Sequence, residues 1–121
     1  MPVSKPDVRV RRVYEQPSAE DGTRVLVDRL WPRGLSKDAA GVDEWPKALT
    51  PSDELRRWYH SPSGEFEEFG RRYEAELAAP DAAEALDGLR TLAKAGRVTL
   101  LTAAKDPDHS HTAVLLRLLL T

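Results

Sequence analysis

The sequence has no cysteine. Disulfides, thiolate catalysis and cysteine-ligated metals are thereby removed, and a reducing compartment is compatible with the rest. No apolar run approaches the roughly 18 residues that a membrane helix needs, and the opening stretch MPVSKPDVRV lacks the apolar segment of a signal peptide. A cytoplasmic protein with no membrane partner is expected. An excess of one charge is missing too. The 18 lysines and arginines face 20 acids, a formal −2, which argues against a bulk nucleic-acid binder but leaves room for a local basic patch. Gly-x-Gly-x-x-Gly, Walker and Gly-x-Ser-x-Gly patterns are all absent. No repeat or internal boundary divides the 121 residues, and one core usually serves about 100 to 200. A single α/β domain over 1–121 is expected, with residues 1–7 flexible.

What is present is 40 % hydrophobic and 31 % charged, an ordinary globular composition. Val8, Val10 and Val13 alternate with arginines, as in an edge strand ending near Tyr14. The polar stretch EQPSAEDGT (15–23) is a loop. A second strand spans Arg24 to Leu30, its Val25, Leu26 and Val27 suited to burial; a further short strand is expected near Val42–Trp45. In TPSDELRRWYH (50–60), Thr50 is the expected N-cap, Pro51 the first helical residue, and acids fill the first turn. Ser63 is expected to cap the next helix, with its stripe of Phe66, Phe69, Tyr73 and Leu77. Pro80 restarts a helix in which Ala82, Ala85, Leu86, Leu89, Leu92 and Ala93 share a face, and Gly96 closes it as a left-handed C-cap. Residues 65–87 carry eight acids and two arginines, a solvated outer face. RVTLLTAAK (97–105) is the third strand. Asp106 or Ser110 then caps a buried last helix.

About 65 residues, mostly helical, separate the second and third strands. Such a crossover joins parallel strands, so the fold expected is a small, mainly parallel sheet with helices packed on it in two or three layers. Both strands then end at one edge, where open α/β sheets bind ligands. The loops Trp31–Leu35 and Lys105–His111 meet there.

The stretch VLVDRLWPRGLS (25–36) crowds chemistry onto that edge. Arg29 and Arg33 offer planar donor forks for carboxylate or phosphate. Gly34 permits close backbone approach, Trp31 lies between the arginines, and Lys105 adds a point charge. His111 and Asp106 are the proton-transfer candidates, and the helix start at His111 favours an anion. Asp28, Trp45 and His60 are accessory candidates. Each has a structural alternative. Asp28 and Arg29 can each pair with neighbouring charges and close off the sheet, Pro32-Arg33-Gly34 can be a turn, and Trp31, Trp45 and Trp58 can be packing anchors. His60 can be a helix C-cap, and Asp106 an N-cap. The two imidazoles of HSH (109–111) lack the i, i+4 spacing of helical metal ligands, and a site there would need Asp106 or Asp108 and a further ligand. No metal is assigned and no cofactor is named.

The segments RVYEQPSAEDGTRVLVDRLWPRGLSK, VDEWPKALTPSDELRRWYH and VTLLTAAKDPDHSHTAVLL resemble the YeaO-like branch of the family called domain of unknown function 488, in order, from about Val8 to Leu119. The resemblance implies a small bacterial-type cytosolic α/β protein without an established activity. The family pattern concentrates on Asp28, Arg29, Trp31, Pro32, Arg33, Gly34, Trp45, His60, Lys105 and His111, all matched here. A sister branch carries cysteines where this chain has Thr102 and Ser110, a glutamate at Ala104 and an arginine at Thr112. The redox, thiolate and metal chemistry suggested by that branch is therefore unsupported for this chain. Some members carry a MarR-type regulator label, for which this sequence shows no helix-turn-helix with a winged hairpin.

Three functions follow as expectations. The first is a binding protein or enzyme for a small anion, phosphate or carboxylate, at the sheet's carboxyl edge. The second is a nucleic-acid or regulatory module using Arg9, Arg11, Arg12, Arg24, Arg29 and Arg33, with Trp31 for stacking. The third is an interaction domain without chemistry, anchored by exposed Trp45 or Trp58.

Overall fold

The computed structural model describes residues 6–120; most of the amino-terminal segment expected to be flexible, residues 1–5, lies outside them. Asp7 does not hang free: its N–H donates to the Ala93 carbonyl at 3.0 Å and its carbonyl accepts from Val98 at 2.8 Å. Three strands follow the apolar segments: β1 (Val8–Arg12), β2 (Thr23–Leu26) and β3 (Val98–Thr102). They form one parallel sheet in the order β1-β3-β2, with Val10 and Val25 both level with Leu100. All five residues of the central strand are buried.

Alternation along the strands divides the core between two faces. On one, Val25, Val27, Val98 and Leu100 meet apolar residues of four helices, α2 (Asp53–Tyr59), α3 (Phe66–Leu77), α4 (Pro80–Ala95) and α5 (His111–Leu120). On the other, Val13, Leu26 and Leu101 pack under Ala40 of the short α1 (Lys37–Ala40), with Trp31, Leu35, Val42 and Trp45 around them. The arrangement is a three-layer α/β fold. At the amino end of the sheet the fully buried Asp21 carboxylate receives Arg9, Arg11 at 2.9 Å and Arg24 at 2.5 Å. Beside it Gly22 adopts φ +65°, and a Cβ there would lie 2.1 Å from the Arg97 carbonyl oxygen. That close approach lets Thr23 donate to the same carbonyl at 2.9 Å and start β2 in register.

Several expectations are corrected. β2 and β3 are shorter than expected because the ladder ends where Asp28 takes over the donors of Thr102 and Ala103. The region Val42–Trp45 contributes one parallel bridge, Val25 to Glu44, and not a strand. Ser52, not Thr50, caps α2, and Pro51 lies before the helix. Glu65, not Ser63, caps α3 by accepting from the N–H groups of Glu67 and Glu68. Gly96 is extended at φ −177° and feeds straight into β3, so no left-handed turn is needed. Leu92 faces outward instead of joining the apolar face of α4.

Candidate functional site

Asp28 is the second residue after β2 and its side chain turns across to the end of β3. One carboxylate oxygen accepts from the Thr102 hydroxyl at 2.8 Å, and the other from the Ala103 N–H at 2.7 Å. His111, the first residue of α5, brings Nε2 to 2.9 Å from the first oxygen, although without the alignment of a hydrogen bond. Burial alone would push the Asp28 carboxyl up; the His111 ring, the Ala103 N–H and the Thr102 hydroxyl outweigh it and hold the group below its ordinary value. Three elements are thus joined at the carboxyl edge. This is the structural reading of Asp28, with His111 as the neighbouring ionisable group.

Above this edge opens a cleft of about 900 Å³. Both expected loops reach it: Arg29, Trp31 and Arg33 from one side, Lys105, Asp106 and His111 from the other, with His60 on the wall. Gly34 and Trp45 do not line it. Gly34 serves a turn instead, at φ +78°, in which the Leu35 N–H reaches the Pro32 carbonyl. A Cβ at Gly34 would meet nothing within 4 Å, so no close backbone approach depends on it. Trp45 donates to the Asp28 carbonyl at 2.7 Å, and Trp31 to the Leu35 carbonyl at 2.6 Å. The two indoles meet edge-on at 5.4 Å. These are packing anchors. Trp58 is half-buried beneath the Arg72 guanidinium, so neither Trp45 nor Trp58 is the exposed anchor expected for a partner protein.

The cations separate into two groups. Arg29 is 3.5 Å from Asp53 and donates to the Thr50 hydroxyl at 3.3 Å, while Arg56 approaches the same carboxylate at 3.5 Å. Arg33 and Lys105 are exposed and have no carboxylate within ion-pair distance among the described residues. The basic stretch of the amino-terminal third is likewise divided, since Arg9, Arg11 and Arg24 all pair with Asp21.

The two proton-transfer candidates have separate partners. Asp106 lies 2.8 Å from His109, not beside His111, and its side chain caps nothing. Ser110 starts α5 instead, accepting from the Thr112 N–H at 3.2 Å and, through its carbonyl, from Ala113 at 3.1 Å. Those N–H groups are therefore already partnered. His60 ends α2, its N–H returning to the Arg56 carbonyl at 3.1 Å. Tyr59 and Phe69 also line the cleft, and sequence reasoning assigned neither to it. Burial first, then the Asp106 and Glu65 carboxylates, push the Tyr59 phenol above its ordinary value. It stays protonated and donates to the His109 carbonyl at 2.6 Å. The stripe pattern placed Phe69 in the core, which is correct, but gave no sign that its edge of the core faces an opening. No group of three or more acidic or imidazole side chains able to hold a metal is found among the described residues, and no helix among them is long and apolar enough to cross a membrane.

The sequence matches the family model described as the inactive DUF488-N3 subclade over residues 7–121. It is similar to uncharacterized protein Rv3073c of Mycobacterium tuberculosis, 50 % identical over 112 residues that cover 93 % of this chain and 92 % of that one. It is also similar to uncharacterized protein YeaO of Escherichia coli, 40 % identical over 109 residues, 90 % of this chain and 93 % of that one. No solved structure matches.

Proposed function

The chain belongs to the DUF488 family, in the subclade described as inactive, and from that premise we propose that it binds a small anion, phosphate or carboxylate, in the carboxyl-edge cleft without turning it over. The observation that carries this reading is the pair Arg33 and Lys105. They come from two separate loops, line one cleft and lack a carboxylate partner among the described residues. A guanidinium fork supplies paired donors for an oxyanion, and an ammonium adds charge without demanding a fixed geometry. The acids nearby do not cancel them: Asp28 is engaged by Thr102, Ala103 and His111, and Asp106 by His109. Binding without turnover agrees with the description of the subclade, and with the separation of His111 from Asp106.

An amide NMR titration with inorganic phosphate and acetate tests the reading. Saturable shifts are expected around residues 28–35 and 102–111. The double variant Arg33→Ala/Lys105→Ala should weaken binding about 10- to 100-fold, from charge-assisted hydrogen bonds of ~1.5–3 kcal/mol. Unchanged affinity in the folded double variant would overturn it.

A further inference from the structure

We propose that the anion taken in this cleft is organic, with a flat apolar body joined to its phosphate or carboxylate and no cationic group; this rests on the anion reading above and deepens it. The available charges occupy little of the cleft. Its volume of about 900 Å³ is in the upper part of the ~300–1,000 Å³ range of organic-ligand sites. An inorganic phosphate would leave most of that space to water.

Beside its cations the lining carries apolar and aromatic groups: Leu30, Trp31, Pro32, Pro51, Tyr59 and Phe69. A singly exposed leucine needs no explanation. Leu30, however, is 68 % exposed on the wall of a concave surface that also holds Tyr14, Trp31, Tyr59 and Phe69. A ligand covering it would recover about 25 cal/mol per Å² of apolar area.

Tyr59 is fixed before any ligand arrives. Its ring stacks on Phe69 with centroids 4.4 Å apart, and its hydroxyl is tied to the His109 carbonyl at 2.6 Å. A ring held at both ends loses little freedom on contact, which favours a flat partner. The lining offers little to a cation on the ligand. Asp28 already accepts from Thr102 and Ala103, with the His111 ring at 2.9 Å, and Asp106 lies against His109. Both carboxylates of the lining thus have a partner within the protein, whereas Arg33 and Lys105 have no carboxylate partner among the described residues. Amino acids and amines fit this site less well than simple aromatic acids or phosphate monoesters.

The experiment compares NMR titrations of the whole protein with inorganic phosphate, phenyl phosphate and phenol at matched ionic strength. Phenyl phosphate is expected to bind at least about tenfold more tightly than phosphate, as apolar burial worth ~1.4 kcal/mol would give, and phenol only weakly. Leu30→Ala and Tyr59→Leu should each lower the ratio of the two phosphate affinities. Leu30 is exposed enough that its variant tests contact rather than folding. Equal affinity for phosphate and phenyl phosphate, or a ratio unmoved by both variants, overturns the inference and leaves the anion reading standing. Phenol binding as tightly as phenyl phosphate also overturns it. Binding of neither phosphate removes both.

Discussion

At the scale of single residues, Asp28 illustrates how a side chain that reads as chemistry can close a sheet. A carboxylate directly after a buried strand is conspicuous in the sequence, and the residues flanking it invite a catalytic role. The structure instead gives each of its oxygens a donor at the end of β3, Thr102 and the next residue Ala103, across 74 and 75 positions of chain. Asp28→Asn keeps the shape but presents an amide NH₂ to one of those donors. The Thr102 hydroxyl can turn to accept from it, but the charge-assisted character of the bonds to Thr102 and Ala103 is lost, at a cost of about 1–3 kcal/mol. Urea unfolding should show the midpoint falling with an unchanged slope. A loss under about 0.5 kcal/mol, the size usual for surface changes, would mean that the Thr102 and Ala103 contacts contribute nothing. Arg33 is the converse case. No local feature distinguishes it from Arg29, yet one is exposed without a carboxylate partner and the other lies beside Asp53. The residue that answers that carboxylate is set by the approach of α2, which no spacing rule reports.

At the scale of elements, the three strands and the long helices were legible, whereas their ends, and the single bridge at Glu44 where a further short strand was expected, were not. Apolar alternation and stripes persist over many residues, whereas a cap depends on one hydrogen bond. Thr50-Pro51 has the pattern of a helix start, but the helix begins at Ser52 because α3 reaches over to hold it. Glu76 accepts from the Ser52 N–H at 2.9 Å and from its hydroxyl at 2.6 Å, while the Ser52 oxygen accepts from Leu55 at 3.1 Å. Thr50 turns away to the Lys47 carbonyl at 2.8 Å. Ser52→Ala removes the cap and half of the contact with Glu76, and should cost about 1–2 kcal/mol. Hydrogen exchange gives the sharper check. The Leu55 amide should exchange faster in the variant while amides of β3 change only with global stability; unchanged protection at Leu55 would contradict the assignment. Gly96 shows the same limit. A glycine after a helix usually marks a left-handed turn, but here the next strand begins at Val98 and the chain has no distance in which to turn.

For the whole molecule, the meeting of two loops at one sheet edge was legible, because a long helical crossover implies parallel strands and parallel strands share their ends. The pairings inside that edge were not, since His111 finds Asp28 only once α5 has docked. The opposite end of the sheet holds a second buried carboxylate, and together the two set an expectation for acid stability. Burial opposes ionisation of Asp21, but the Ser18 N–H and then Arg11, Arg9 and Arg24 reverse the effect and hold it far below the ordinary carboxylate range. Asp28 is depressed as well. A carboxyl whose folded value lies below its unfolded value of about 4 contributes stability that is fully present above that pH. The contribution declines as pH falls towards the folded value, because the unfolded chain takes up the proton first. Stability is therefore expected to fall steeply below about pH 4, and Asp21 should remain ionised by carboxyl NMR through the range in which ordinary aspartates protonate. Asp21→Asn leaves three guanidiniums around a neutral amide. It should cost about 3 kcal/mol or more, a large share of the ~5–15 kcal/mol typical of a domain, and flatten the acid limb of the stability curve. If the variant is destabilised but keeps the wild-type acid dependence, the proton linkage lies elsewhere, and the amino-end cluster acts through packing and hydrogen bonds alone.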